Sequence, residues 1–371
     1  MTDREGRVFE PPPPSGTQQM GSTFDSADAA GPSEDLAWCH EVVQDVSRTF
    51  AITIDVLEEP MSSAICVGYL LCRIPDTVED AGHIPPEEQV ALLETYDAVL
   101  DPDDETTGEA FTTAVEQWVP DGDRSADWDL VAETERVLRV FDHQPERVRE
   151  AIRPPARELV AGMAEFVDRY ADDGGLRIET REELHEYCHY AAGTVGHLIT
   201  NLVTDEDTPE ETRSVLEATA EPFGLALQLV NICKDVGADF REENNVYLPA
   251  DELRAEGVEQ SAICDPDNES GVVAVVRRTA ADARECLDQA QRYLEYVPER
   301  DGNTVAAWAI PFLLAVGTLR EVEARPADVL RTEGVKISRQ EVGAVIDRAI
   351  DGLDGEELAE LRATIAEGPL A

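Results

Sequence analysis

Tyr69-Leu70-Leu71-Cys72-Arg73-Ile74-Pro75-Asp76-Thr77-Val78-Glu79-Asp80 is the stretch on which the fold turns. Asp76, Glu79 and Asp80 stand at i, i+3 and i+4, so on an α-helix all three carboxylates share one face. Arg73 sits one turn earlier on the same side. Like charges at this spacing oppose helix formation. In so acidic a chain the plain alternative is a solvated acidic face. The apolar run Ala64–Leu71 just before the triad argues instead for a buried helix whose acidic end needs counter-charge.

A second segment has the same character. Gln228-Leu229-Val230-Asn231-Ile232-Cys233-Lys234-Asp235-Val236-Gly237-Ala238-Asp239 follows another apolar run, Phe223–Val230. Gln228, Asn231, Asp235 and Asp239 form one polar stripe on an otherwise apolar helix. Facing each other in a bundle, the two helices would gather Asp76, Glu79, Asp80, Asp235 and Asp239, and only cations could hold them together. Hard oxygen ligands at that density suit Mg²⁺, which keeps waters and binds phosphate oxygens. No Cys- or His-rich motif competes for zinc. Mg²⁺ on such a cluster would act as Lewis acid and template for a diphosphate leaving group. Arg48, Arg73 and Lys234 would donate to the phosphates. An allylic cation left behind must be kept from water, so an apolar pocket is expected beside the metals.

Working outward, the 371 residues suffice for one large helical domain. Glu, Ala, Arg and Leu dominate from Leu36 onward, and strand-like alternation is rare, so the chain reads as all-α. Breakers fall at Pro60, Pro85-Pro86, Pro102, Pro120–Gly122, Pro145, Gly174-Gly175, Pro209, Pro249, Pro266, Pro298–Gly302 and Pro326. Pro311, inside an apolar run, predicts a kink. Residues 1–34 are polar and Pro/Gly-punctuated and read as a disordered tail, leaving 35–371 as one domain. The longest apolar run, Val305–Leu319, falls short of the roughly 18 residues needed to span a bilayer and reads as a core helix. No secretory signal pattern is visible, and a cytoplasmic location is expected.

Charge excludes several classes of function. Lys and Arg number 30 against 79 Asp and Glu, a formal net of −49, spread over the whole chain. No basic stripe exists, so nucleic-acid binding is not expected. An acidic excess this uniform suits a cytoplasm near molar salt, where the Debye length is about 3 Å and self-repulsion is screened. A halophilic origin is therefore expected. Seven cysteines at irregular spacing, without a CxxC pair, fit small buried thiols of a reduced intracellular protein. His189 and His197 are expected to cap or pack, and His83 and His185 to lie on the surface. Gly193 and Gly196, near one helical turn apart, would permit close helix approach or leave room for a substrate chain.

Taken in order, these motifs resemble the squalene/phytoene synthase family. Ser47-Arg48-Thr49-Phe50, the Asp76–Asp80 helix, Tyr187-Cys188-His189-Tyr190-Ala191-Ala192-Gly193, Asn231-Ile232-Cys233-Lys234-Asp235 and Ala309-Ile310-Pro311 carry the likeness, from about residue 36 to residue 320. Asp76-Thr77-Val78-Glu79-Asp80 and the Tyr187 motif side with the squalene-forming branch. Asp235-Val236-Gly237-Ala238-Asp239 and Val246-Tyr247-Leu248-Pro249 resemble bacterial phytoene and dehydrosqualene synthases. The resemblance implies a single-domain isoprenoid synthase helical bundle around a central apolar cavity. It implies head-to-head condensation of two farnesyl diphosphates through presqualene diphosphate, with Mg²⁺ as cofactor and NADPH reducing the intermediate to squalene. It further implies metal binding by Asp76, Glu79, Asp80, Asp235 and Asp239, and diphosphate contacts from Ser47, Arg48, Arg73, Gln228, Asn231 and Lys234. Tyr187 would be base or cation stabiliser in the first half-reaction, with Phe50 and Tyr69 lining the cavity. A monomer with peripheral membrane contact for product release is expected.

Three departures stand out. Lys234 replaces a usual Arg, Ala238 replaces a frequent acidic residue, and Asn244-Asn245 take the usual place of an Arg, which Arg241 would supply from a shifted position. Phytoene or dehydrosqualene synthesis without reductant, terpene cyclisation, and a non-catalytic helical assembly remain as alternatives. No Gly-rich phosphate loop is present, so any NADPH would bind outside a Rossmann fold.

Overall fold

The computed structural model describes residues 31–122, 124–299 and 303–370. Sixteen α-helices occupy them, with no strand among the described residues and one isolated parallel bridge between Arg177 and Val246. The first half of the chain contributes α1 (Gly31–Val46), α2 (Arg48–Asp55), α3 (Met61–Glu79), α4 (Pro86–Leu100), α5 (Gly108–Val115), α6 (Ala126–Ala132), α7 (Thr134–Asp142) and α8 (Glu146–Arg169). The second contributes α9 (Arg181–Cys188), α10 (Thr194–Val203), α11 (Glu210–Glu242), α12 (Ala250–Ala255), α13 (Glu269–Tyr296), α14 (Thr304–Ala324), α15 (Arg339–Ile350) and α16 (Gly355–Glu367).

Local chemistry sets many of these boundaries. Pro60, Pro85, Pro145, Pro209 and Pro249 each stand immediately before a helix, where a missing N–H costs nothing. Ser47, Thr107, Ser125, Thr180, Asn303 and Ser338 cap helix N-termini through side-chain oxygens, and Asp354 with Glu357 forms a capping box. Pro75, Pro154, Pro155, Pro222 and Pro311 lie inside helices instead. Burial of the surrounding faces outweighs the lost hydrogen bond there, and α14 runs unbroken through Pro311.

The expected tail needs correcting at its inner end. Residues 1–30 lie outside the described residues, and α1 already begins at Gly31. Gly31-Pro32 reads as a breaker, yet proline is well tolerated in a first helical turn.

The 33-residue α11 is the axis of the bundle. It packs on α13, α10 and α14, while α8 joins α3, α4 and α10 on the other side. The core leans on aliphatic residues, with Trp308, Tyr96, Tyr293 and several phenylalanines fully buried among them. By length and composition α14 could cross a membrane, but 67% of its most apolar window is buried inside the protein, as a core helix requires.

Between α9 and α10 the chain makes a π-helical turn, His189–Gly193. Such widened turns are uncommon and concentrate at functional sites. Here the turn lets two helices touch backbone to backbone. A Cβ on Gly196 would lie 2.1 Å from the Ala220 carbonyl oxygen, and one on Gly224 would lie 2.1 Å from that of Ala192. Neither carbonyl can yield without moving its helix. Gly224→Ala is therefore expected to destabilise the protein by about 1–3 kcal/mol, read by chemical denaturation, and an unchanged midpoint would contradict this contact.

The C-terminal helices are held by one buried ion pair. Arg320 on α14 meets Glu341 on α15 bidentately, at 2.7 and 2.9 Å, and donates to the Ile365 carbonyl of α16 at 2.7 Å. The two side chains are only 11% and 2% exposed.

Candidate active site

A cavity of about 230 Å³ opens between α2, α3, α8, the π-helical turn, α10, α11 and α14. Leu159, Met163, Phe223, Leu227, Trp308 and the small residues Ala191, Ala192, Gly196 and Gly224 give it an apolar wall. Arg73, Asp76 and Asn231 bring its charged and amide groups. The two acidic helices α3 and α11 therefore face the same space.

Phe50 and Tyr69 lie on this wall, their rings stacked at 4.2 Å. Ser47 accepts from the Phe50 N–H at 3.3 Å and so starts α2, while its hydroxyl also meets Tyr69. Burial pushes the Tyr69 phenol up to about 12. Arg73 pairs with Asp76 and reaches Asp127 on α6 at 2.9 Å. On α11, Lys234 pairs with the adjacent Asp235. Gly334, with φ of 58°, brings its backbone against Asp235, and the Val335 N–H donates to the Lys234 carbonyl at 2.9 Å. Both cationic side chains are thus parked on candidate metal ligands.

Beside the cavity lies a smaller recess lined by Glu79, Asp80, Gln89, Tyr170, Glu243 and Asn245, among others. Glu79 presents two buried carboxylate oxygens with no hydrogen-bond partner. Uncompensated burial of a carboxylate is costly, and it ends when the group is protonated or meets a cation. Burial, then Asp76 and Glu243, push Glu79 well above the usual carboxylate range. Asp80 is an exposed residue whose carboxyl is crowded by protein; desolvation, then Asp76, Glu79 and Glu243, raises it likewise. Burial also raises Asp76, against the opposing pull of Arg73. Burial, Glu243 and Asp235 bring Asp239 to about 8.

Glu243 links the two acidic helices, since it feels both Asp76 and Asp235. Sequence reasoning missed it. It stands just past the last residue of α11, beyond the second motif, and only the fold carries it to α3. Asp127 was missed for the same reason, as nothing in α6 marks it. Asn244 and Asn245 serve the loop itself. Asn244 adopts φ of 59° and donates to the Gly174 carbonyl at 2.9 Å. Asn245 accepts from the Leu176 N–H at 2.8 Å and donates to Glu243 and Tyr247, both at 3.3 Å. Arg241 is exposed and bonds back to the Gly237 carbonyl at 2.7 Å, so it does not replace the missing Arg.

Five expected contacts are not on the large cavity's wall, Ser47 at the start of α2 among them. Arg48 is exposed in the first turn of α2, and Gln228 and Lys234 are half-buried on α11 without lining the space. Tyr187 is buried behind the carboxylates, edge-on to Phe166 at 5.3 Å and 3.5 Å from the Tyr247 hydroxyl. Burial, then Glu79, holds its phenol well above its ordinary value. His185, expected on the surface, is half-buried 3.6 Å from Asp282.

A carboxylate crowd with unpartnered oxygens fits divalent cations with oxygen preference. It also predicts a proton release. Metal binding requires ionised carboxylates, whereas Asp239, at about 8, holds its proton at neutral pH, and Glu79 and Asp80 are shifted in the same direction. Mg²⁺ addition at pH 7 should release protons into a weak buffer, less so in Asp239→Asn. A raised folded value also means that the native state binds protons the unfolded chain has lost. Without metal, stability should thus fall as pH rises from about 4 to 8, with a flatter slope in Asp239→Asn. Identical slopes for the two proteins would contradict the assignment.

An all-α bundle with an apolar cavity and acidic helices at its mouth defines the isoprenoid synthase class. The family described as squalene/phytoene synthase matches residues 43–341. The squalene synthase of Schizosaccharomyces pombe is 26% identical over 318 residues, covering 86% of this chain and 66% of its own length. "Squalene synthase LSS" of Botryococcus braunii is 29% identical over 286 residues, covering 76% and 57%. The solved structure of TcSQS with the ligand BPH1237 superposes with a TM-score of 0.75 at 27% identity, covering 90% of each chain. The chain belongs to the squalene/phytoene synthase family, and it spans about two-thirds or less of the length of these curated relatives.

Proposed function

We propose that the protein joins two farnesyl diphosphates head to head, through presqualene diphosphate, to squalene. The observation that carries this reading is the buried, unpartnered Glu79 carboxylate, which shares a recess with Asp80 and Glu243 beside an apolar cavity lined by Asp76 and Asn231. Asp76, Glu79, Asp80, Asp235, Asp239 and Glu243 would hold Mg²⁺, which neutralises the diphosphate as it leaves. Were Asp76 and Asp235 to turn to the cation, Lys234 would be freed, and Arg73, still held by Asp127, would have the N–H groups released by Asp76 to donate to phosphate oxygens. The stacked Phe50 and Tyr69 rings face the cavity where cationic carbon develops. Tyr187, held as a phenol, acts through its ring and its O–H rather than as a resting phenolate. NADPH would deliver the hydride in the second half-reaction, with two diphosphates released in total.

Incubation with farnesyl diphosphate, Mg²⁺ and NADPH at high salt, with products weighed by mass spectrometry, tests this. Squalene is expected. Dehydrosqualene despite ample NADPH, or turnover of the C20 diphosphate alone, would assign the protein to the non-reducing branch. A cyclic product from one substrate would make it a cyclase.

A further inference from the structure

On the outer side of the π-helical turn, away from the acidic cluster, four elements bring together a different set of ligands. His189 comes from the turn, His197 from α10, Glu221 from α11 and Glu158 from α8. His189, His197 and Glu221 each offer one ligand atom, and these atoms all lie within 4.8 Å of one another. All three residues are half-buried, so solvent reaches them. We infer that this cluster is a second cation site, built for a borderline first-row metal such as Zn²⁺ and distinct from the oxygen-rich site.

The chemistry of His189 carries the argument. Its Nε2 lies 3.1 Å from a Glu158 carboxylate oxygen, and its Nδ1 lies 3.2 Å from one of Glu221. A neutral imidazole has one N–H, so it can satisfy one carboxylate and must turn a lone pair towards the other. That arrangement is repulsive unless a positive charge lies between the lone pair and the second carboxylate. Donation from Nε2 to Glu158 leaves Nδ1 as the free ligand nitrogen, aimed at Glu221. A carboxylate behind a ligating histidine is the usual outer support of a metal site, fixing the tautomer and raising the basicity of the nitrogen. The 3.2 Å separation also suits two ligands of one ion, since bonds of about 2.0 Å at tetrahedral angles place ligand atoms about 3.3 Å apart. His197 completes a His₂Glu set, with the fourth position left to water.

Imidazole nitrogen selects this metal class over Mg²⁺. The floor of the site is Gly193, where a Cβ would lie 3.3 Å from His189 Nδ1 and 3.2 Å from Glu221 Cγ. A metal here would staple the π-helical turn to α11. Because Ala191 and Ala192 of that turn line the large cavity, occupancy stiffens one wall of the prenyl pocket.

The test uses full-length protein stripped with chelator, then kept in high salt with excess Mg²⁺ so that oxygen-only sites are filled. Zn²⁺ is titrated calorimetrically, and Co²⁺ by the visible absorption it acquires with nitrogen ligands. One saturable site per chain is expected, weakened at least tenfold in His197→Gln and in Glu221→Gln. Zn²⁺ should raise the melting temperature of the parent protein and not of the variants, whose metal-free melting and Mg²⁺-dependent turnover stay near the parent's. No saturable uptake would overturn the inference and leave His189 as an imidazolium between two glutamates. Uptake unchanged in both variants would overturn it as well, by placing the cation elsewhere.

Discussion

Asp76→Asn should lower turnover of farnesyl diphosphate at saturating Mg²⁺ by about 10²–10³-fold, the scale seen when one preorganised electrostatic stabiliser is removed. Asp76 has two tasks that an amide cannot perform. It offers a carboxylate on the wall of the cavity, and it pairs with Arg73. The same substitution should make the metal-free protein more stable, because it removes one charge from a group that repels itself. Lost activity with raised stability separates a site role from a folding defect. Glu243→Gln should show the same pair of effects, although no motif marks it. Full turnover in Asp76→Asn would refute the metal assignment.

Glu341→Ala should cost about 3 kcal/mol, because it takes the bidentate partner from the Arg320 guanidinium where water scarcely reaches and leaves it only the neighbouring Glu321 carboxylate at 2.8 Å. The loss extends beyond one pair. Arg320 also holds the Ile365 carbonyl, and the Leu370 N–H leans on Glu341 at 3.4 Å, so α15 and α16 should loosen together from α14. Salt screens a buried pair weakly, and the effect should persist at molar KCl. Replacing both partners with apolar residues, Arg320→Met with Glu341→Leu, should restore most of the stability. Guanidinium denaturation of the three proteins checks this, and a single-variant loss under 1 kcal/mol would defeat it.

The two acidic turns were readable in sequence because helical spacing is local. Asp76, Glu79 and Asp80 share a face at any position in any bundle, and flanking apolar residues told which way that face looks. Helix starts were readable where Pro60, Pro145 or Pro209 precede them. Pro154 and Pro155 announced nothing, since whether a helix survives a proline depends on how firmly its other residues are buried. Glu243 and Asp127 were invisible for a related reason. Each joins the site across a gap in the chain that only packing closes. Tyr187 was legible as a motif but not as a position, and it stands beside Tyr247 and the acidic cluster rather than on the cavity's wall. The π-helical turn has no sequence signature and emerged from how α10 must shift to meet α11.

On the proposed function, product size depends on how much room the prenyl chains find. Where α10 and α11 meet, that boundary is peptide rather than side chain, with Gly196 and Gly224 allowing nothing larger. Directed evolution towards longer or shorter hydrocarbons cannot trim or enlarge this stretch. Useful variation will instead accumulate at the side chains of the wall, at Leu159, Met163, Phe223 and Trp308. A library that spares the glycines and randomises those four should hold most of the attainable change in chain length.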